Sequence, residues 1–275
     1  MALLVATLLW LVASPDLSAA GTPRLSWDKN MLHITGPDIP GGAVDILWWE
    51  AFCRRGSTDR EWERTTIPHR TELVSASKDG RRLQLLTKVE PSVEVTQDLR
   101  ARPDGMECTV TLRNRGKEPA DLEWFEPCIR VDKFTGRGQK DYPSRCFIYT
   151  ADGLKMLDQL PRNEEARYHG GQVYVPPGID HNDVNPRPIS PVAPFNGLMG
   201  CFSADDRWLL ATAWNRTQHL FQGVIVCIHA DPHVGGLKPG ETKRLHGRIY
   251  LLPNDPAELK RRYEREFHFR PGKAF

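Results

Sequence analysis

No strong charge of either sign marks this chain. Across 275 residues, 37 Lys and Arg stand against 35 Asp and Glu, a formal net charge of +2. The basic pairs Arg54-Arg55, Arg81-Arg82 and Arg261-Arg262 are scattered, with acids close by. They read as solvated surface, and no nucleic-acid partner is expected. Long apolar runs are also missing. Leu3 to Val12 is too short to span a bilayer, so no stable transmembrane anchor is expected. There is no CxxC, no HExxH, no Gly-rich phosphate loop and no nucleophile elbow. Zinc knuckles, thioredoxin-type sites, zincin chemistry, P-loop chemistry and α/β-hydrolase chemistry are set aside on that ground. No internal repeat or heptad is present.

What is present starts with MALLVATLLWLVASPDLSAA, residues 1–20. Ser18 and Ala20 put small residues ahead of a cut at Gly21, although no Lys or Arg precedes the apolar run. The segment reads as a signal peptide and the protein as secreted or periplasmic. A buried N-terminal segment is the alternative. Cys53, Cys108, Cys128, Cys146, Cys201 and Cys227 all follow Gly21. An even number in an exported chain permits disulfides. Cys108, Cys201 and Cys227 sit inside apolar strand patterns and read equally well as small core residues.

Residues 21–42 are rich in Gly and Pro and are expected to run as an extended arm. Residues 43–275 are expected to form a single β-sandwich domain ending in a helix. Ala43 to Phe52 is the first strand. Asp79-Gly80 signals a tight type I′ hairpin turn between Glu72–Lys78 and Arg82–Val89. In Met106–Arg113 apolar and polar residues alternate, as in a half-buried antiparallel strand. Further strands are expected at Gly197–Ser203, Trp208–Trp214, Gly223–His229 and Thr242–Leu252. At the end, Asp255 can cap a helix, Pro256 fits its first position, and Leu259, Tyr263 and Phe267 form one apolar stripe. The fold class is all-β, mainly antiparallel, a large sandwich with one C-terminal helix.

The stretch Thr109 to Trp124 (strand, NRGKEP, strand), LKPGETKRLHGRIYLL (Leu237 to Leu252) and the closing helix resemble the galactose mutarotase-like supersandwich. That resemblance implies the fold and a leaning toward carbohydrate. The catalytic His and Glu of the epimerases fall on no matching motif, so their activity is not carried over.

Three segments hold residues suited to chemistry. His229, Asp231 and His233 follow at spacing two where the expected buried strand Gly223–His229 ends. Alternate strand residues share a face, about 6–7 Å apart at Cα. Two of these side chains can converge on one ion or one sugar hydroxyl. All three meet only if Pro232 bends the chain. Imidazole with carboxylate suits a zinc- or manganese-type divalent metal, or a metal-free acid–base pair. A polar surface turn is the plain alternative. Pro176 to Pro194 is a loop stiffened by six prolines that carries His181, Asn182, Asp183, Asn185 and Arg187. Arg187 suits the carboxylate of a uronic acid; ordinary turn chemistry is the alternative. Trp124, Glu126 and Arg130 share one strand face, where an indole can stack on a sugar and a buried acid can become a proton donor. A core Trp124 and a Glu126–Arg130 pair are the alternative. Trp214, like Trp48 and Trp49, offers a stacking ring but fits a core equally. His69 and His219 read as structural.

The expected site therefore sets His181 and Asp183 across a pocket from His229 and Asp231. Trp124, Glu126, Arg130, Arg187 and Trp214 hold the sugar, and His229, Asp231 and His233 are the ligands if a metal is used. Removing Asp231 is expected to leave the fold intact, since it belongs to no apolar pattern. The expected function is a secreted carbohydrate-active hydrolase, lyase or epimerase. A non-catalytic carbohydrate-binding sandwich is the alternative, and a structural envelope protein a third. Oligomeric state stays open.

Overall fold

The computed structural model describes residues 21–169, 171–185 and 188–268. The segment read as a signal peptide and Arg187 lie outside them. Alternating apolar and polar residues build sixteen strands among the described residues. In chain order they are β1 (Arg24–Asp28), β2 (Met31–Thr35), β3 (Ala43–Cys53), β4 (His69–Ala76), β5 (Arg82–Val89) and β6 (Val93–Arg102). Next come β7 (Gly105–Asn114), β8 (Trp124–Arg130), β9 (Cys146–Thr150), β10 (Gly153–Met156) and β11 (Gln172–Tyr174). The last are β12 (Leu198–Phe202), β13 (Trp208–Trp214), β14 (Thr217–Gln222), β15 (Cys227–Pro232) and β16 (Thr242–Pro253).

Seven strands form a smaller sheet in the order β1-β2-β3-β8-β15-β14-β11, and nine form a larger one, β10-β9-β12-β13-β16-β7-β6-β5-β4. All the strand pairings are antiparallel. Between the sheets lies one core. Ile46, Phe125, Ile129, Leu220 and Ile228 enter it from the smaller sheet, and Val95, Val110, Leu112, Leu210 and Trp214 from the larger. This is the sandwich that the alternation predicts. Asp255 caps the C-terminal helix Pro256–Glu266 by accepting from the Glu258 N–H at 2.9 Å. Leu259, Tyr263 and Phe267 pack on the outer face of the larger sheet, beside Tyr250 and Leu252. No helix of the described residues is long and apolar enough to cross a membrane.

The structure departs from the expected chain path at three places. The expected arm is a hairpin: β1 and β2 pair through a two-residue turn with φ of 45° at Lys29 and 68° at Asn30. Leu25, Leu32 and Ile34 point into the core, and their alternation outweighs the Gly and Pro of the flanks. The loop at Asp79-Gly80 is wider than a type I′ turn, because only Gly80 has positive φ and the Ser77 hydroxyl accepts from the N–H groups of Arg81 and Arg82. The third departure bears on function. The strand expected from Gly223 begins only at Cys227, and Val224 and Ile225 are exposed at a turn. That turn exists because the polar segment Thr217–Gln222 is itself a strand, β14, which pairs with β15.

Candidate active site

Register places a row of polar side chains across the outer face of the smaller sheet. In β8 and β15, Ile129 pairs with Ile228, and Trp124 bridges His233. The same register sets Cys128 opposite His229 and Glu126 opposite Asp231. On the other side of β15, Asp231 pairs with His219 and His229 with Phe221. Since Phe125, Ile129, Ile228 and Leu220 take the core side, the alternate residues Glu126, Cys128, Cys227, His229, Asp231 and His219 take the outer side.

One more carboxylate arrives through a bulge. Between Leu47, which pairs with Cys128, and Ala51, which pairs with Glu126, β3 holds two residues more than β8. Trp49 takes up the irregularity at φ 60°, an uncommon conformation for a bulky residue. Trp48 and Trp49 both turn into the core, with ring centroids 4.2 Å apart. Glu50 is left pointing outward, its side chain 34% exposed and its Oε2 4.0 Å from His229 Nε2. Bulges beside functional sites commonly re-aim a side chain in this way.

The ligand atoms of Glu50, Glu126 and His229 lie within 4.8 Å of one another, as do those of Glu126, His219 and Asp231. Glu126, His219, His229 and Asp231 are buried, so Glu50 is the group of this cluster that reaches solvent. Asp231 stands between two imidazoles, with Oδ2 2.7 Å from His219 Nε2 and Oδ1 3.6 Å from His229 Nδ1. The shorter contact has ion-pair distance without an aligned hydrogen bond, and the buried carboxylate keeps unfilled acceptor capacity. Burial pushes the Glu126 carboxyl well above the usual carboxylate range, repulsion from Asp231 and Glu50 adds to this, and His229 only partly offsets it. Asp231 moves the other way: burial would raise it, but His219 and His229 hold it below its usual value. His229 is held above the usual imidazole range. Burial opposes this, and Cys128 and Asp231 outweigh burial. Since the Cys128 thiol is itself pushed far up by its contact with Cys227 and by burial, Asp231 is the partner that carries charge.

The residues expected from sequence divide clearly. His229, Asp231 and Glu126 meet on one face. Trp124 is on that face too, but it is fully buried, with its ring edge-on to His219 at 4.7 Å, and offers no stacking surface. Arg130 lies on the same face about 13 Å along the strand from Glu126. It borders a surface hollow with Lys133 and Val226 and makes no ion pair with Glu126. Trp214 belongs to the inter-sheet core against Trp49 and Phe125, not to a sugar site. His233 does not join His229 and Asp231 as a third ligand. After Pro232 it turns to Gln218, with Nδ1 2.5 Å from Oε1, and lies 3.8 Å from Glu123.

The proline-rich loop does cover this sheet face. Val175 and Val184 pack with Val173 and Phe221, and Phe221 meets His229 edge-on at 5.1 Å. The polar groups of the loop serve another purpose. The Asp183 carboxylate accepts from the Gly56 N–H, and the Thr58 hydroxyl is 2.8 Å from the His181 carbonyl, so both residues fasten the loop to residues 56–58. Sequence reading missed His219, Glu50, Cys128 and Cys227. His219 lacked a partner in sequence because its partner is across a strand pair, and Glu50 depends on a bulge. All six cysteines are free and buried.

A trough of about 610 Å³ on the outer face of the larger sheet is the competing location. It is lined by Asp98, Arg100, Arg102 and Glu107, whose charges are already paired with one another or with Arg82. It holds no buried acid or imidazole, so the cluster around Glu126 is the candidate active site.

His233 makes stability depend on pH. Burial, then Arg216, Lys243 and Arg55, push its imidazole down to about 4. The folded state thus favours the neutral ring, whereas the unfolded chain takes up its proton near pH 6.5. The contribution is complete above about pH 6.5 and is lost as pH falls toward 4, by about 2–3 kcal/mol. Urea midpoints of the wild type should fall between pH 7 and pH 4.5 by more than those of His233→Gln. Equal falls would show that the ring plays no part.

The sequence matches no protein-family model and no curated protein. Solved structures do show likeness. A galactose mutarotase related enzyme from Lactobacillus acidophilus is 11% identical, with 85% of this chain and 98% of that chain covered and a TM-score of 0.44. A galactose mutarotase-like protein from Clostridium acetobutylicum is 11% identical, with coverage of 83% and 94% and a TM-score of 0.44. Galactose 1-epimerase from Lactobacillus acidophilus is 9% identical, with coverage of 86% and 100% and a TM-score of 0.41. These neighbours fall in the galactose mutarotase-like group that the strand-and-turn pattern of the sequence resembles.

Proposed function

We infer that this chain is a carbohydrate-active enzyme that moves protons on and off sugar oxygens or carbons at Glu50 and Glu126, beside His229. The observation that carries this reading is the convergence of two carboxylates and an imidazole within 4.8 Å, with one carboxylate at the solvent rim. Glu50 meets the substrate first and exchanges its proton. Glu126 stands behind as the second proton-transfer group, and Asp231 fixes the His229 ring between them. A water-assisted inverting hydrolysis needs carboxyl groups about 6.5–9.5 Å apart, so this pair does not suit it. The carbohydrate class is supported by the resemblance of Thr109–Trp124 and Leu237–Leu252, and the names of the similar structures point the same way.

The test is a panel run on the purified full chain. Free aldoses are followed for anomer exchange by NMR, uronate-containing oligosaccharides for unsaturated products, and neutral oligosaccharides for new reducing ends. Turnover is expected on aldoses or uronates. Binding without turnover on all three would replace this reading with that of a carbohydrate-binding protein.

A further inference from the structure

The face that carries the carboxylates also brings two thiols to one imidazole. Cys227 and His229 are alternate residues of β15, and the register of β8 sets Cys128 beside them. Their sulfur and nitrogen atoms all lie within 4.8 Å of one another, and Cys227 Sγ is 3.4 Å from His229 Nε2. All three side chains are at least nine-tenths buried. Neither cysteine is in a disulfide.

We propose that Cys128, Cys227 and His229 form a binding site for a zinc-type divalent ion, with a fourth position facing Glu50 and the solvent rim. In a tetrahedral zinc site, bonds of about 2.3 Å to sulfur and 2.0 Å to nitrogen set S···N separations of about 3.5 Å and S···S separations of about 3.8 Å. The observed S···N distance matches without rearrangement of the strands. Two thiolates and an imidazole are a borderline-soft set that favours zinc over magnesium, calcium or manganese. The thiol protons leave to solvent as the metal binds.

The second nitrogen of His229 completes the arrangement. While Nε2 faces Cys227 and Glu50, Nδ1 faces Asp231 at 3.6 Å, and Asp231 is held in turn by His219 at 2.7 Å. A carboxylate behind a ligating histidine is the usual device that fixes its tautomer and ring orientation. The three ligands differ from the sequence-derived set, because neither Asp231 nor His233 touches the ion. The site adjoins the proton-transfer carboxylates and does not depend on their chemistry.

The experiment uses the full chain, purified under reducing conditions, dialysed against zinc and then against metal-free buffer. Elemental analysis should find about one zinc per chain. Cobalt substitution should give thiolate-to-cobalt charge-transfer bands, which read sulfur ligation in the unaltered protein. Cys128→Ser and Cys227→Ser should each lower zinc retention at least tenfold, whereas Glu126→Gln should keep the ion. Zinc without sugar turnover would leave the metal site standing and remove the enzymatic reading; turnover without metal would do the reverse. No retained zinc, copper in its place, cobalt without sulfur bands, or a Cys128–Cys227 disulfide in the isolated protein would each overturn the proposal.

Discussion

Replacing Asp231 by alanine is expected to destabilise the protein by about 3–5 kcal/mol, the usual cost of removing one partner of a buried charged contact. The carboxylate is fully buried and stands between two imidazoles, 2.7 Å from His219 Nε2 and 3.6 Å from His229 Nδ1. Without it both rings lose the carboxylate they face in a place water cannot reach, and a cavity opens between β14 and β8. For a chain of this size the loss corresponds to a fall in Tm of roughly 10 °C. Asp231→Asn keeps the shape and one acceptor and should cost less than half as much. Denaturant titration of the two variants beside the wild type is the check. A loss below about 1 kcal/mol for the alanine variant would mean that the contact is not formed in solution. This reverses the expectation from sequence, where absence from an apolar pattern marked Asp231 as dispensable to folding.

Glu126→Gln should do the opposite: turnover should fall by at least a hundredfold, the low end of what a positioned acid or base contributes. The shape is unchanged, so packing against Ala51 and Asp231 survives. Stability should hold or rise by about 1 kcal/mol, because the variant removes a buried carboxyl that Asp231 and Glu50 both repel. A thermal melt paired with turnover on the responsive sugar reads both effects. Full activity with normal stability would remove Glu126 from the reaction. Loss of both together would assign it a structural role only.

The two variants separate residues that look alike in sequence. Asp231 and Glu126 are both acids within apolar-flanked strands. Burial is the same for both, but the neighbours differ: Asp231 has imidazoles on two sides, while Glu126 has carboxylates on two sides and one imidazole. One charge is therefore stabilised where it stands and the other is not. Under the proposed function, that asymmetry suits the first to holding position and the second to carrying protons.

Period-two alternation and turn residues are local properties, so the sandwich class, most strand positions and the capped C-terminal helix could be read from the chain. So could the pairing of Glu126 with Trp124 on one side of their strand and of His229 with Asp231 on one side of theirs, because strand parity alone sets it. Three features were decided only in the folded protein. Strand partners are chosen by long-range pairing, which is why His219 found Asp231 and His233 went to Gln218 instead of joining a metal. The bulge that turns Glu50 outward depends on Trp48 and Trp49 both being accepted by the core, a packing outcome that no local pattern encodes. The closeness of Cys128 to Cys227 and His229 depends on the register between β8 and β15. A shift of one residue there would send one set of these side chains to the opposite face.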